Sequence, residues 1–186
     1  MVAALATPAI AALFGAKGDN AEEKRAAVRK ERDGIMEKLY ASKPEAKEKI
    51  EKAVGYGAFN NKNLNLFLLS SGHGYGMVVD NKTKKETFMA MGSLGGGLGI
   101  GAKDLSVVFI YKKADVMNKF VESGWQFCGE ADATAKAGET GAAASKEAGA
   151  DTGANVFEIY QMTDTGVALQ ATVAGTKYWK DKKLNE

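Results

Sequence analysis

With 186 residues, 45% of them hydrophobic and 26% charged, the chain has the composition of an ordinary soluble domain, long enough to bury a core. A net charge of +2 gives no whole-molecule attraction to nucleic acid. A single cysteine, Cys128, excludes an intramolecular disulfide and a cysteine-cluster metal site, and a single histidine, His73, leaves little for nucleophilic or zinc chemistry.

Residues 1–16, MVAALATPAIAALFGA, are apolar and small but lack the positive start of a signal peptide. They fit a shortened export signal with the small-x-small pattern Ala9-Ile10-Ala11, a membrane-surface helix, or a plain arm. They are too short for a transmembrane helix. Residues 1–20 are therefore set apart as a signal-like or flexible segment, and residues 21–186 as one domain. Asn20 is a predicted N-cap, and Glu23 completes a capping box. The helix predicted over 21–41 has a narrow apolar stripe of Ala27, Val28, Ile35 and Leu39. Pro44 opens a second helix over 44–53, with Ala46, Ile50 and Ala53 inward. The many Lys and Glu residues of both read as a solvated face.

Strand patterns follow. Residues 54–59 form a short strand, and Asn60-Asn61-Lys62-Asn63 reads as a turn. Residues 64–69 are an apolar run, and residues 72–79 alternate glycine with larger residues. A charged turn at 80–85 returns as a strand over 86–91, which places Lys82, Lys84 and Lys85 at a hairpin tip. The stretch 92–111 is the centre of the pattern: Gly95, Gly97, Gly99 and Gly101 share one face, and Val107–Tyr111 is a β-branched and aromatic strand. A bare face lets a helix or another sheet pack closely or lets the sheet coil, with a direct backbone contact to a ligand as the alternative; bare faces in at least three segments predict a strongly coiled antiparallel sheet, or a barrel. The fingerprint G-x-G-x-x-[GA] at 97–102 precedes a strand and not a helix, and Asp104 after Lys103 removes the hydroxyl of a phosphate-cradling loop; neither match holds. A third helix over 113–123, with Val116, Met117, Phe120 and Val121 at helical spacing, ends at Gly124. Residues 125–136 alternate again. Residues 138–153 are Ala- and Gly-rich, 156–162 and 167–174 form a last hairpin, and KYWKDKKLNE closes the chain. The fold class is α+β, with N-terminal helices and one helix inserted between strands.

Several of these stretches together resemble one family. Ala53-Val54-Gly55-Tyr56-Gly57-Ala58-Phe59 resembles the opening A-x-G-x-x-x-F of the SYLF domain. Gly74-Tyr75-Gly76-Met77-Val78-Val79-Asp80 resembles its next glycine strand, and the run from Met91 to Gly101 its central glycine ladder. Residues 120–135 and Gly166-Val167-Ala168-Leu169 fit later blocks in the same order. The resemblance spans residue 21 to the C-terminus and departs from the family at residues 64–69, where a glycine-rich run is more usual. It implies a non-catalytic lipid-binding module, with an anionic phospholipid membrane as partner and no cofactor. Eukaryotic relatives bind phosphoinositides and actin filaments; bacterial relatives are mostly exported and lipid-associated. The implied location is periplasmic or outer-membrane-associated. The alternative is a structural or protein-interaction module with a protein partner.

The candidate contacts for lipid head groups are basic. They are Lys82, Lys84 and Lys85 at the hairpin tip, Lys112 and Lys113, and the C-terminal Lys177 and Lys180 with Trp179, whose ring favours a membrane interface. Lys182 and Lys183 belong to the same C-terminal group. Each has an equally ordinary reading as a solvated turn. His73 reads as structural and Cys128 as a small buried residue. No spacing of Glu130, Asp132 or Asp151 marks an acid–base pair.

Overall fold

The computed structural model describes residues 16–66, 69–95, 105–127, 157–163, 166–168 and 176–186. The export-like segment 1–15, the glycine ladder at 96–104, Cys128, the small-residue stretch to 156 and the strand predicted beyond residue 168 lie outside the described residues.

Helix α1 is Ala21–Ser42 and is capped as its sequence predicts. Asn20 Oδ1 accepts from the Glu23 amide at 2.9 Å, and Glu23 reaches back to Asn20 Nδ2 and the Asp19 amide. This satisfies donors that an open helix start leaves unpaired. Val28, Ile35, Met36 and Leu39 form its buried stripe. Helix α2, Glu45–Lys52, follows Pro44 and buries Ala46 and Ile50. Helix α3, Ala114–Ser123, buries Met117 and Phe120. Gly124 ends α3 at φ +69, and a Cβ there would strike the Tyr178 carbonyl. Both the backbone angle and the space require glycine at this position.

The strands are β1 (Gly55–Leu66), β2 (Leu69–Asp80), β3 (Glu86–Gly95), β4 (Leu105–Tyr111), β5 (Trp125–Phe127), β6 (Phe157–Thr163), β7 (Gly166–Ala168) and β8 (Thr176–Lys180). They pair antiparallel throughout in the order β5-β8-β3-β2-β1-β4-β6-β7. The strongly coiled or barrel-like sheet expected from the bare glycine faces does not form. Among the described residues the sheet is open, with β5 and β7 at its two ends. Among the described residues, strand glycines serve local packing. Gly76 stands opposite Phe59, and a Cβ on it would come within 2.5 Å of Phe59 Cδ1 and closer still to the Ala58 carbonyl. A Cβ on Gly55 would meet Met117 Sδ at 2.5 Å. An aromatic ring on one strand thus fills the vacancy that a glycine leaves on the next.

A second expectation also fails. Asn60–Asn63 is not a turn but the middle of β1, and the chain reverses between Leu66 and Leu69. Asn60 pairs with Tyr75 and Ser106, and its Nδ2 donates to Glu31 of α1, so the ladder and the side-chain nitrogen both find partners inside the fold. Turn propensity yields to tertiary pairing here.

Both faces of the sheet are covered. Phe59, Val107, Phe109, Tyr111, Ile159 and Tyr178 gather on one face around Met117 and Phe120 of α3. Ala58, Val108, Ile110, Tyr160 and Met162 lie on the other, under α1 and α2. Met77, Val79 and Phe88 continue that second face beneath Val28 and Leu184. This explains β4: a strand buried on both sides needs an unbroken apolar run, and Val107 to Tyr111 are all buried.

Candidate functional site

Strand register decides which basic residues meet. Gly55 at the start of β1 is level with Asp80 at the end of β2 and with Tyr111 at the end of β4. Lys82, Lys84 and Lys85 follow Asp80, and Lys112 and Lys113 follow Tyr111, so all five stand at one end of the sheet. Strand β8 runs toward the same end, with Lys180 opposite Met89. From β8 to β4 this end is four strand spacings wide, about 19 Å at 4.8 Å per strand.

The hairpin tip is held by its first residue. Asp80 Oδ1 accepts from the Lys82 amide at 2.9 Å and the Thr83 amide at 2.7 Å. The Lys84 amide donates to the Asp80 carbonyl, and the Asp80 amide to the Lys85 carbonyl. The bond from the Thr83 amide, chiefly, holds the Asp80 carboxyl below the ordinary carboxylate range. Asn81 ties the tip to the body: its Nδ2 donates to the carbonyls of Ile50 at 2.6 Å and Ala53 at 2.9 Å, capping α2 from outside. Lys84 adopts φ +59, the left-handed region. A side chain there costs about 1–2 kcal/mol relative to a right-handed conformation, a cost glycine avoids. Lys82, Lys84 and Lys85 are exposed, and among the described residues none of them is in an ion pair within 4.0 Å.

Lys112 is placed differently. Its Nζ lies 2.7 Å from Glu158, which also holds Lys49 Nζ at 2.9 Å. Burial alone would raise the Glu158 carboxyl; the bonds from Lys112 and Lys49 outweigh it and hold the group below its ordinary value. The Glu158 bond likewise pushes Lys49 upward. This network fastens α2, β4 and β6 together. Lys113 is half-buried at the start of α3. Lys177 and Trp179 stand further along β8, opposite Gly92 and Ala90, and Trp179 is 41% exposed. Tyr178 between them is buried, so the aromatic pair divides into one core ring and one exposed ring. His73 is exposed on β2.

Sequence reasoning passed over the arginines of α1. Arg25, Arg29 and Arg32 recur at helical spacing, a signal the solvated-face reading absorbed. Arg29 Nε and an Arg32 guanidinium nitrogen reach Glu86 at 2.8 and 3.4 Å, just after the hairpin lysines. Arg29 also lies over the Phe88 ring at 5.4 Å. Among the described residues no group of three His, Cys, Asp or Glu could hold a metal ion, and no described helix is long and apolar enough to cross a membrane.

No family model matches the chain. It is similar to Beta cell expansion factor A of Aeromonas veronii, 33% identical over 166 residues, which are 89% of this chain and 60% of that protein. The chain thus spans about 60% of the length of the relative it matches.

Proposed function

We propose that this domain is a non-catalytic module that binds anionic phospholipid head groups through the basic end of its sheet, in a bacterial cell envelope. The observation that carries the reading is the convergence of Lys82, Lys84, Lys85 and Lys180 from separate strands on one exposed end. Acids beside them in the chain are engaged: Asp80 in its own turn, Glu86 with two arginines, Asp181 on the Leu184 amide. Each basic residue near an anionic bilayer contributes about 1 kcal/mol. Lysine at the left-handed position 84, where glycine costs less, favours a use for its charge. The ordered glycine blocks, through their resemblance to SYLF domains, support lipid as the ligand class. Lys112 contributes least, because Glu158 already holds it.

The test is co-sedimentation with vesicles of phosphatidylcholine, with and without phosphatidylglycerol, at low and high salt. The parent should bind only the anionic vesicles, and less as salt shortens the screening length. The variant Lys82→Glu/Lys84→Glu/Lys85→Glu should lose on the order of a hundredfold in affinity at low salt while keeping its circular dichroism. A folded variant that binds like the parent removes the hairpin from the contact.

A further inference from the structure

We infer that the C-terminal turn, residues 181–185, is the second half of the surface that meets an anionic phospholipid bilayer, and that Asn185 is the residue that positions it. The inference rests on the lipid-binding reading above.

Strand β8 ends at Lys180, yet the chain stays attached to β3 beyond it. The Asp181 amide donates to the Phe88 carbonyl at 3.1 Å. The Asn185 side chain then takes the place of a backbone partner. Its Oδ1 accepts from the Phe88 amide at 3.0 Å, and its Nδ2 donates to the Phe88 carbonyl at 2.7 Å. The same Nδ2 also donates to the Asp181 carbonyl, closing the turn on itself. Leu184 is buried against Val28 and Phe88, and its carbonyl accepts from Arg25 Nε at 2.9 Å. Residues 181–185 therefore sit about one strand spacing, ~5 Å, from the start of β3, which follows directly on Lys85. Lys182 and Lys183 are exposed on this turn.

The two turns are built alike. Asp80 opens the hairpin turn and Asp181 the C-terminal one. Each aspartate spends a carboxylate oxygen on amides of its own turn, Asp80 on Lys82 and Thr83, Asp181 on Leu184. Each turn then carries exposed lysines: Lys82, Lys84 and Lys85 on one, Lys182 and Lys183 on the other. Glu186 is the exposed acid that opposes the second set. A flat anionic surface touching one turn touches both, because Phe88 and Asn185 hold them side by side. A free C-terminal tail would carry the same charges but would have to be ordered on contact, which weakens the contribution of each charge.

Three variants separate the possibilities, with the vesicles described above and a series of salt concentrations. Neutralising the pair in Lys182→Gln/Lys183→Gln should cost about thirtyfold in affinity at low salt. Asn185→Ala removes no charge, so a purely structural role would leave the salt dependence of binding unchanged. Loss of positioning should instead lower the affinity and flatten that dependence, with the Phe88 amide exchanging faster. As a second readout that leaves the clamp intact, a polarity-sensitive dye on Cys128→Ser/Lys183→Cys should shift on phosphatidylglycerol vesicles and not on phosphatidylcholine. Parent-like binding by the lysine pair variant, or a dye that stays in water, overturns the inference while a failing hairpin variant leaves the lipid reading standing. Parent-like affinity and salt dependence in Asn185→Ala overturn the role of Asn185. A parent that binds both vesicle types alike, or neither, sinks the lipid reading itself.

Discussion

The two faces of the sheet are held by different physics. On the face under α3, rings meet rings: Phe120 lies 5.4 to 6.0 Å from Phe59, Phe109, Tyr111 and Tyr178. Phe59 and Tyr178 pack edge-on at 4.9 Å. Such pairs add to simple burial and depend on shape. On the face under α1 and α2, the buried side chains are mostly aliphatic and sulfur-bearing, and polar ties fasten the helices: Glu31 to Asn60, Arg29 and Arg32 to Glu86, Lys49 to Glu158. A short helix can be held by fit alone when it drops one large ring into a prepared site. A long helix with a narrow apolar stripe needs further ties at its margins. The lesson is that sensitivity to volume belongs to one face, and sensitivity to pH and salt to the other.

The strongest way to break this comparison is Phe120→Ala. Removing the ring at the centre of the aromatic face should destabilise by about 3–5 kcal/mol, read from urea unfolding. A loss below about 1 kcal/mol would mean that α3 is not the keystone of that face. Gly76→Ala is the complementary overfilling. The added methyl meets the Phe59 ring and the Ala58 carbonyl, and a loss of about 1–3 kcal/mol is expected. A variant as stable as the parent would show that the vacancy opposite Phe59 is not filled.

The polar face is sharpened by titration. The folded carboxyl of Glu158 lies below its ordinary value of 4.5, so its stabilising effect is present above the unfolded value and lost as pH falls through the folded one. Glu158→Gln should be less stable than the parent at pH 7, and the gap should close as pH falls below about 4.5. Thermal melts of both proteins from pH 7 down to pH 3 check this; a constant gap would assign the loss to packing and not to charge. The smallest effect is expected at the tip. Lys84→Gly relieves the left-handed backbone and should leave stability equal or raise it by up to about 1 kcal/mol, while weakening binding to anionic vesicles. A destabilised glycine variant would show that the lysine side chain supports the turn.

Local chemistry was legible where one segment satisfied its own needs. The capping box at Asn20 and Glu23 and the charged hairpin at 80–85 rest on contacts within a few residues, and the stripe of α1 and the end of α3 at Gly124 on the periodicity and backbone conformation of one segment. The hairpin lysines were legible as exposed residues of a turn for the same reason. The binding partners of Lys112 were not, because Glu158 and Lys49 come from distant segments. The arginines of α1 had a visible spacing, but no local signal ties them to Glu86 or Phe88.

What the sequence by itself determined is therefore most of the elements: three helices, the first with its N-cap, strands with alternating faces, and one strand, β4, apolar enough to be buried on both sides. Tertiary structure alone decided their order. Periodicity states which face of a strand is apolar but not which strand lies beside it, and backbone hydrogen bonds are alike for every pair. Only packing against α1, α2 and α3 placed β8 between β5 and β3, drew Asn60–Asn63 into a ladder, and filled glycine vacancies with rings where curvature was expected. The basic end exists for that reason: its three groups of lysines lie far apart in the chain and come to one end of the sheet only because strand register brings the ends of β2, β4 and β8 level.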